Sequence, residues 1–259
     1  MRRQGFEFND LEWYPQTWRQ ILTACTGFFA VVFDVFRPIL PQLADALRAS
    51  DARVILDLCS GGAGQLVRLQ RLLAEHHQYP VRVVLSDKYP DLDVFRNAAR
   101  SSDGDVRFIE EPVDAASAPS ADGAFRTIFT AFHHFEPDAA CRILQDAATN
   151  RVGIGAFEYT DRSVVWYVSA LLSPLFCWLT APWAIRPFTL KVFFWVYLLP
   201  IPVLLIPWDG IVSGLRTYDP DALRLLVSRV DAPDYAWDIG KVRTGVGHHL
   251  TYLIGHPRP

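Results

Sequence analysis

Asp57, Cys59, Gly61 and Ala63 occupy alternate positions in Asp57-Leu58-Cys59-Ser60-Gly61-Gly62-Ala63-Gly64, a small-residue loop between an apolar run and a helical pattern. The run, Val54–Leu56, reads as a buried parallel strand, and Gln65–Leu73 reads as a helix. A strand, a glycine turn and a helix N-terminus form a nucleotide-binding element. Small residues let a ligand approach the backbone, and the first helical N–H groups are free donors. Dinucleotide chemistry would need Gly-x-Gly-x-x-Gly, which no alignment of Gly61, Gly62 and Gly64 supplies. The bland alternative is a glycine-rich strand-to-helix turn with no ligand.

A second strand, Val81–Leu85, ends at Ser86-Asp87. An acid at that tip can accept hydrogen bonds from both ribose hydroxyls. Lys88 and Tyr89 follow, with Tyr89 placed to pack on an adenine face. These residues resemble the class I S-adenosylmethionine-dependent methyltransferases, whose loop reads acid-x-Gly-x-Gly-x-Gly. Cys59 and Ala63 depart from that pattern with small substitutes. The resemblance covers residues 50–160 well and 209–257 loosely.

The resemblance implies S-adenosylmethionine as cofactor and S-adenosylhomocysteine as product. It implies a cofactor site of Asp57, Cys59, Ser60, Gly61, Gly62, Asp87, Lys88 and Tyr89. Val113, Asp114 and Ala115, beyond a third strand at Val106–Ile109, extend it. The family places an acid there against the adenine amine, which maps to Asp114. Phe132 joins the set after a fourth strand, Thr127–Ala131.

A fifth strand, Val152–Phe157, and two late strands around Tyr235–Ile239 and Leu250–Ile254 complete the pattern, with helices opening at Pro137 and Pro220. The expected fold is α/β: a Rossmann-like, seven-stranded, mostly parallel sheet with an antiparallel last strand, an N-terminal helical segment and an apolar helical insertion. The expected divisions are 1–50, an N-terminal helical cap; 51–162, the cofactor-binding core; 163–208, the insertion; and 209–259, the closing helix and strand pair.

Methyl transfer to a hydroxyl or phenol needs a base. His133 and His134, ending the fourth strand, are the first candidates, and Glu158 and Tyr159, ending the fifth, come next. The competing role for either histidine is a ring hydrogen-bonded to backbone near the cofactor. Glu158 can equally cap a turn.

The formal net charge of −3 argues against a phosphate-neutralising surface, so nucleic acid is not expected as substrate or partner. Cys25, Cys59, Cys141 and Cys177 form no C-x-x-C pair, and a reduced intracellular protein is expected. The N-terminus starts basic but turns acidic and aromatic before any apolar run, unlike a signal peptide. Adjacent histidines such as His76-His77 and His133-His134 should diverge, so no metal is expected.

Residues 163–185 and 192–208 contain no charged side chain, and five of the eight tryptophans lie between 163 and 208. Three readings stand. One is a transmembrane hairpin, opposed by prolines 174, 182, 187, 200, 202 and 207. Another is an interfacial element dipping into one leaflet. The third, preferred, is a lid of broken helices packed against the N-terminal segment and covering the acceptor pocket, as insertions after the fifth strand commonly do in the resembling family. The N-terminal helix, carrying Trp18, Ile21, Leu22, Cys25, Phe28 and Phe29, is too apolar to stand alone and should pack on the sheet domain.

The expected function is methyl transfer from S-adenosylmethionine to a small, apolar or aromatic acceptor. The alternative is a membrane-associated, non-catalytic protein retaining the cofactor-binding fold. A cytoplasmic location is expected, with residues 163–208 offering peripheral contact to the inner face of a membrane. Oligomeric state is left open.

Overall fold

The computed structural model describes residues 2–102, 104–119 and 123–258. An extended N-terminal segment leads into α1 (Gln16–Val32) and α2 (Leu40–Ala49). Strands and helices then alternate: β1 (Val54–Asp57), α3 (Gly64–His77), β2 (Arg82–Leu85), α4 (Leu92–Arg100), β3 (Val106–Phe108), β4 (Ala124–Phe129), α5 (Pro137–Thr149) and β5 (Ile154–Glu158). The insertion holds α6 (Val164–Ala184), a short α7 (Leu190–Phe193) running into a π-turn, and α8 (Ile201–Arg216). Helix α9 (Pro220–Val227) and the hairpin β6 (Tyr235–Arg243) and β7 (His249–Pro257) close the chain.

The sheet order is β3-β2-β1-β4-β5-β7-β6. Only β7 runs against its neighbours, pairing antiparallel with both β5 and β6. This is the expected Rossmann-like sheet. Its strand order reverses between β1 and β4, which are hydrogen-bonded in parallel. In open α/β sheets ligands settle outside the strand ends at such a switch point. Alternation along β4 divides the core: Phe125 and Phe129 face α2 and α3, whereas Ala124 and Ile128 face α5 and α9. β4 starts and ends earlier than its apolar pattern suggests. Thr130, with φ of +50°, turns the chain out of the sheet before the histidines.

The prolines of the insertion do not break α6, contrary to expectation. Pro174 and Pro182 sit inside a continuous 21-residue helix. Each removes an N–H, freeing the carbonyl four residues earlier, and each freed carbonyl finds a hydroxyl. Ser173 Oγ donates to Ala170 O at 2.7 Å, and the Tyr197 hydroxyl donates to Trp178 O at 2.8 Å. The chain bends instead at Pro200, between the π-turn and α8, by 69°.

A separate apolar cluster joins α1 to the insertion through Ile21, Cys25, Cys177, Ala181, Val196 and Val203. Cys25 and Cys177 are paired across it, which corrects the expectation of unpaired cysteines. Their Cα separation of 5.6 Å falls in the middle of the disulfide range. The N-terminal helix therefore packs on the insertion, through α6 and α8, as well as on α3 of the sheet domain.

Candidate functional site

The loop after β1 is built by hydrogen bonds to the tip of β2. Ser60 N donates to Ser86 O at 2.9 Å, Ser86 N donates to Ser60 Oγ at 3.1 Å, and Ser86 Oγ donates to Asp57 O at 2.7 Å. Gly61 takes φ of +47°, a left-handed conformation that costs glycine little. Ala63 takes φ of +56° despite its Cβ, at the position where the loop pattern carries a third glycine.

Asp57 is buried beneath this loop. Its Oδ1 accepts from Thr127 Oγ1 at 2.6 Å, and its Oδ2 is buried with no hydrogen-bond partner among the described residues. Burial pushes its carboxyl up to about 7. At the tip of β2, Asp87 Oδ2 accepts from Gly61 N at 3.0 Å and Oδ1 accepts from Tyr89 N at 2.8 Å. Burial raises its pKa despite those donors. Val113 N donates to Asp87 O at 2.9 Å, so the segments after β1, β2 and β3 meet.

The remaining residues expected at the cofactor site divide. Cys59 is half-buried in the loop, its thiol pushed well up by burial and then by Asp87 and Asp57. Ala115 is buried at the start of a 3-10 turn capped by Asp114, whose Oδ1 accepts from Ala116 N at 2.8 Å. Tyr89 is exposed and already covered by the Arg19 guanidinium, 4.9 Å from its ring centre, with Lys88 Nζ at 5.6 Å. Phe132, opening the 3-10 turn Phe132–His134, is buried beside Phe135 and Tyr218 in the apolar cluster that also holds Ala115 and touches Cys59.

Helix α1 rests on the loop, a feature the sequence did not reveal. A Cβ at Gly61 would lie 3.2 Å from Thr23 Cγ2, and one at Gly62 would lie 3.4 Å from Thr23 O. Gln20 Nε2 donates to Asp91 Oδ2 at 2.9 Å, fixing the start of α1 to the segment after β2.

Beside the loop, at the ends of β4 and β5, lies a buried charged cluster. His133 Nδ1 pairs with Glu158 Oε2 at 2.9 Å, and Glu158 Oε1 accepts from His133 N at 3.1 Å. His134 Nδ1 pairs with Asp10 Oδ1 at 2.7 Å. Glu7, from the N-terminal segment, faces both rings, with Oε1 3.7 Å from His133 Nε2 and Oε2 3.8 Å from His134 Nε2. Arg216 Nη1 donates to Glu7 Oε1 at 3.1 Å and also to Asp10.

Burial opposes charge on His133, but Glu158 and Glu7 outweigh it and raise its pKa to about 10. Burial would likewise raise Glu7 and Glu158, yet the histidines, joined at Glu7 by Arg216, hold both below the usual carboxylate range. The N-terminal segment is held in place along α8. Phe8 N and Asn9 N donate to Asp209 Oδ1 and Oδ2 at 2.8 and 3.1 Å, and Arg3 N donates to Leu215 O at 3.0 Å.

Tyr159 is not part of this cluster. Successive strand residues face opposite ways, and Tyr159 points among Phe36, Phe29 and Trp166, where burial drives its hydroxyl pKa upward. The adjacent histidines do converge, contrary to expectation, because the 3-10 turn sets their ring centres 4.2 Å apart. One ligand atom each from Glu7, His133 and His134 lies within 4.8 Å of the others, a spacing that could hold a metal ion. Arg216 already supplies a positive charge against Glu7. Glu7, Asp10, Asp209 and Arg216 were missed by sequence reasoning. Their only signal was an acidic, aromatic N-terminus and an Asp and an Arg bounding an apolar stretch.

No protein-family model matches this sequence, and no curated protein matches it. Solved structures do. Human N-acetylserotonin methyltransferase in complex with S-adenosylmethionine is similar at 12% identity and a TM-score of 0.51, over 90% of this chain and 55% of that one. TnmH is similar at 17% identity and a TM-score of 0.50, over 89% and 56%. The S-adenosylmethionine-dependent methyltransferase SibL in its apo form is similar at 14% identity and a TM-score of 0.50, over 85% and 54%. This chain thus spans about half the length of the solved structures it matches.

Proposed function

We propose that this chain, which has the fold of the class I S-adenosylmethionine-dependent methyltransferases, transfers a methyl group from S-adenosylmethionine to a small-molecule acceptor. The observation that carries this reading is Asp57 Oδ2, buried at the switch point and without a partner. A buried, unpaired carboxylate oxygen is costly, and an ammonium donor such as the cofactor's amino group would satisfy it. Gly61 and Gly62 give the backbone approach, and Asp87 the ribose contact, by exchanging its bond to Gly61 N. The bound cofactor would supply an electrophilic methyl carbon.

The protein's own work is to bind, align and exclude water. The charged cluster sits where the acceptor belongs, at the ends of β4 and β5. His133 is held protonated between two glutamates, and in that state it donates a hydrogen bond instead of taking a proton. An acceptor hydroxyl that displaces Glu7 from Nε2 would weaken that hold, so that the ring gives its Nε2 proton to solvent and, once neutral, takes the hydroxyl proton as base. Glu158 positions the ring through Nδ1.

The alternative is a membrane-associated, non-catalytic protein that retains the cofactor-binding fold, and the close seat of Thr23 over Gly61 and Gly62, which narrows the approach to the loop, keeps it in view. Calorimetry with S-adenosylhomocysteine, followed by transfer of labelled methyl to a panel of phenols and lipophilic alcohols, separates the readings. No binding removes the proposal, and binding without transfer to any acceptor supports the non-catalytic alternative.

A further inference from the structure

The insertion turns an apolar face to solvent. On α6, Leu172, Leu175, Leu179 and Trp183 recur at helical spacing and are each more than half exposed, opposite the buried stripe of Trp166, Ala170, Cys177 and Ala181. Leu198, after α7, and Leu204 on α8 extend the face, at 65% and 56% exposure. Stripes of this kind normally pack inward, and contiguous exposed patches beyond a few hundred Å² mark an interaction surface.

By length and composition α6 could cross a membrane. Its contacts lay it flat instead. At its start, Trp166 packs on Tyr159 and His248 at 5.5 and 5.6 Å between ring centres. At its middle, Cys177 is paired with Cys25 of α1. Just past its end, Arg186 and Pro187 face α4 across an open cleft of about 430 Å³. A helix packed on the domain at its start, tied to α1 at its middle and followed by residues that face α4 lies along the surface.

That cleft indicates what covers the apolar face. Arg96, Arg100 and Arg186 line it with Asn97, Pro187 and a single carboxylate, Asp93. Asp93 and Glu110 both lie 3.8 Å from Arg96, so the neighbouring acids gather on one guanidinium. Arg186 follows Trp183 by three residues and precedes exposed Leu190, putting cationic groups at the rim of an uncharged surface. Uncharged residues along α6 and from 192 to 208, a tryptophan at the edge and arginines at the rim match a leaflet and its phosphates.

We propose that the outward face of α6–α8 seats this protein on an anionic bilayer, its leucines and tryptophan entering one leaflet while Arg96, Arg100 and Arg186 take lipid phosphates in the adjoining cleft. The net charge of −3 makes this attraction local to the cleft. The proposal stands independently of methyl transfer.

Sedimentation with vesicles of phosphatidylcholine, alone or mixed with phosphatidylglycerol, tests it. The protein is expected to pellet with both, more tightly with the mixture. Arg100→Ala with Arg186→Ala should erase most of that preference, a loss of about tenfold or more. Leu175→Glu with Leu179→Glu should abolish binding to both vesicles with an unchanged melting temperature, since both side chains are exposed. Three results would overturn the proposal: no sedimentation with either vesicle; a dimer that Leu175→Glu dissociates and that ignores vesicles, which gives the face to a second copy; or resistance to carbonate extraction, with the Arg186–Lys191 loop cleaved only from the far side, which makes α6 a span.

Discussion

Asp87 Oδ2 accepts the Gly61 backbone N–H at 3.0 Å, tying the tip of β2 to the loop after β1. On the proposed function, the bond joins the two residues that the cofactor's ribose and methionine portions would share. A charge-assisted hydrogen bond contributes about 1.5–3 kcal/mol, so Asp87→Ala should weaken S-adenosylhomocysteine binding roughly tenfold or more. The serine bonds between the loop and Ser86 remain, so the variant should still fold. Unchanged affinity by calorimetry would remove Asp87 from the site.

Gly61→Val places a β-branched side chain at φ of +47°, with its Cβ 3.2 Å from Thr23 Cγ2. Both the backbone and the neighbouring helix resist it. The expected outcome is a modestly lowered melting temperature and loss of the stabilisation that S-adenosylhomocysteine gives the wild type. A variant that gains as much thermal stability from ligand as the wild type would make the loop an ordinary turn.

Alternation of strand and helix signals, the loop after β1 and the acid after β2 were legible because each lies within a few neighbouring residues. The charged cluster was not. Glu7 reaches Arg216 from 209 residues away, and nothing local marks either as a partner of His133. Tyr159 was misplaced for a different reason: one step along a strand reverses the face a side chain takes. The prolines misled because their effect depends on whether a hydroxyl reaches the freed carbonyl, and Tyr197 does so for Trp178 from another element.

Asp57 gives a stability prediction with a definite sign. Its folded value, about 7, lies above the ordinary aspartate value of 3.8. The folded state therefore binds the proton more tightly, and stability is fully present below pH 3.8 and falls as pH rises towards 7. Asp57→Asn keeps an acceptor for Thr127 and carries no charge to bury. Above pH 7 the cofactor-free variant should melt a few degrees higher than the wild type, with the gain shrinking towards pH 4. It should also bind S-adenosylhomocysteine more weakly. A pH-independent difference in melting would show that Asp57 is not held protonated by burial.

His133 carries the opposite charge and a different window. Its pKa rises from 6.5 to about 10, so the stability it gains from Glu158 and Glu7 is complete below pH 6.5 and is lost as pH climbs towards 10. Glu158→Gln removes the nearer carboxylate, at 2.9 Å, and leaves Glu7 at 3.7 Å. The melting temperature of the variant should lie well below that of the wild type at pH 6, and the gap should narrow through pH 9. Side-chain NMR of the ring nitrogens reads the same event directly, with His133 still protonated at pH 8 in the wild type and titrating lower in Glu7→Gln. If acceptor methylation uses this ring as base, its rate should rise across the same alkaline range in the wild type and reach its plateau at lower pH in Glu7→Gln. A neutral His133 ring at pH 8 in the wild type would refute the charge assignment and return the ring to service as a base at neutral pH.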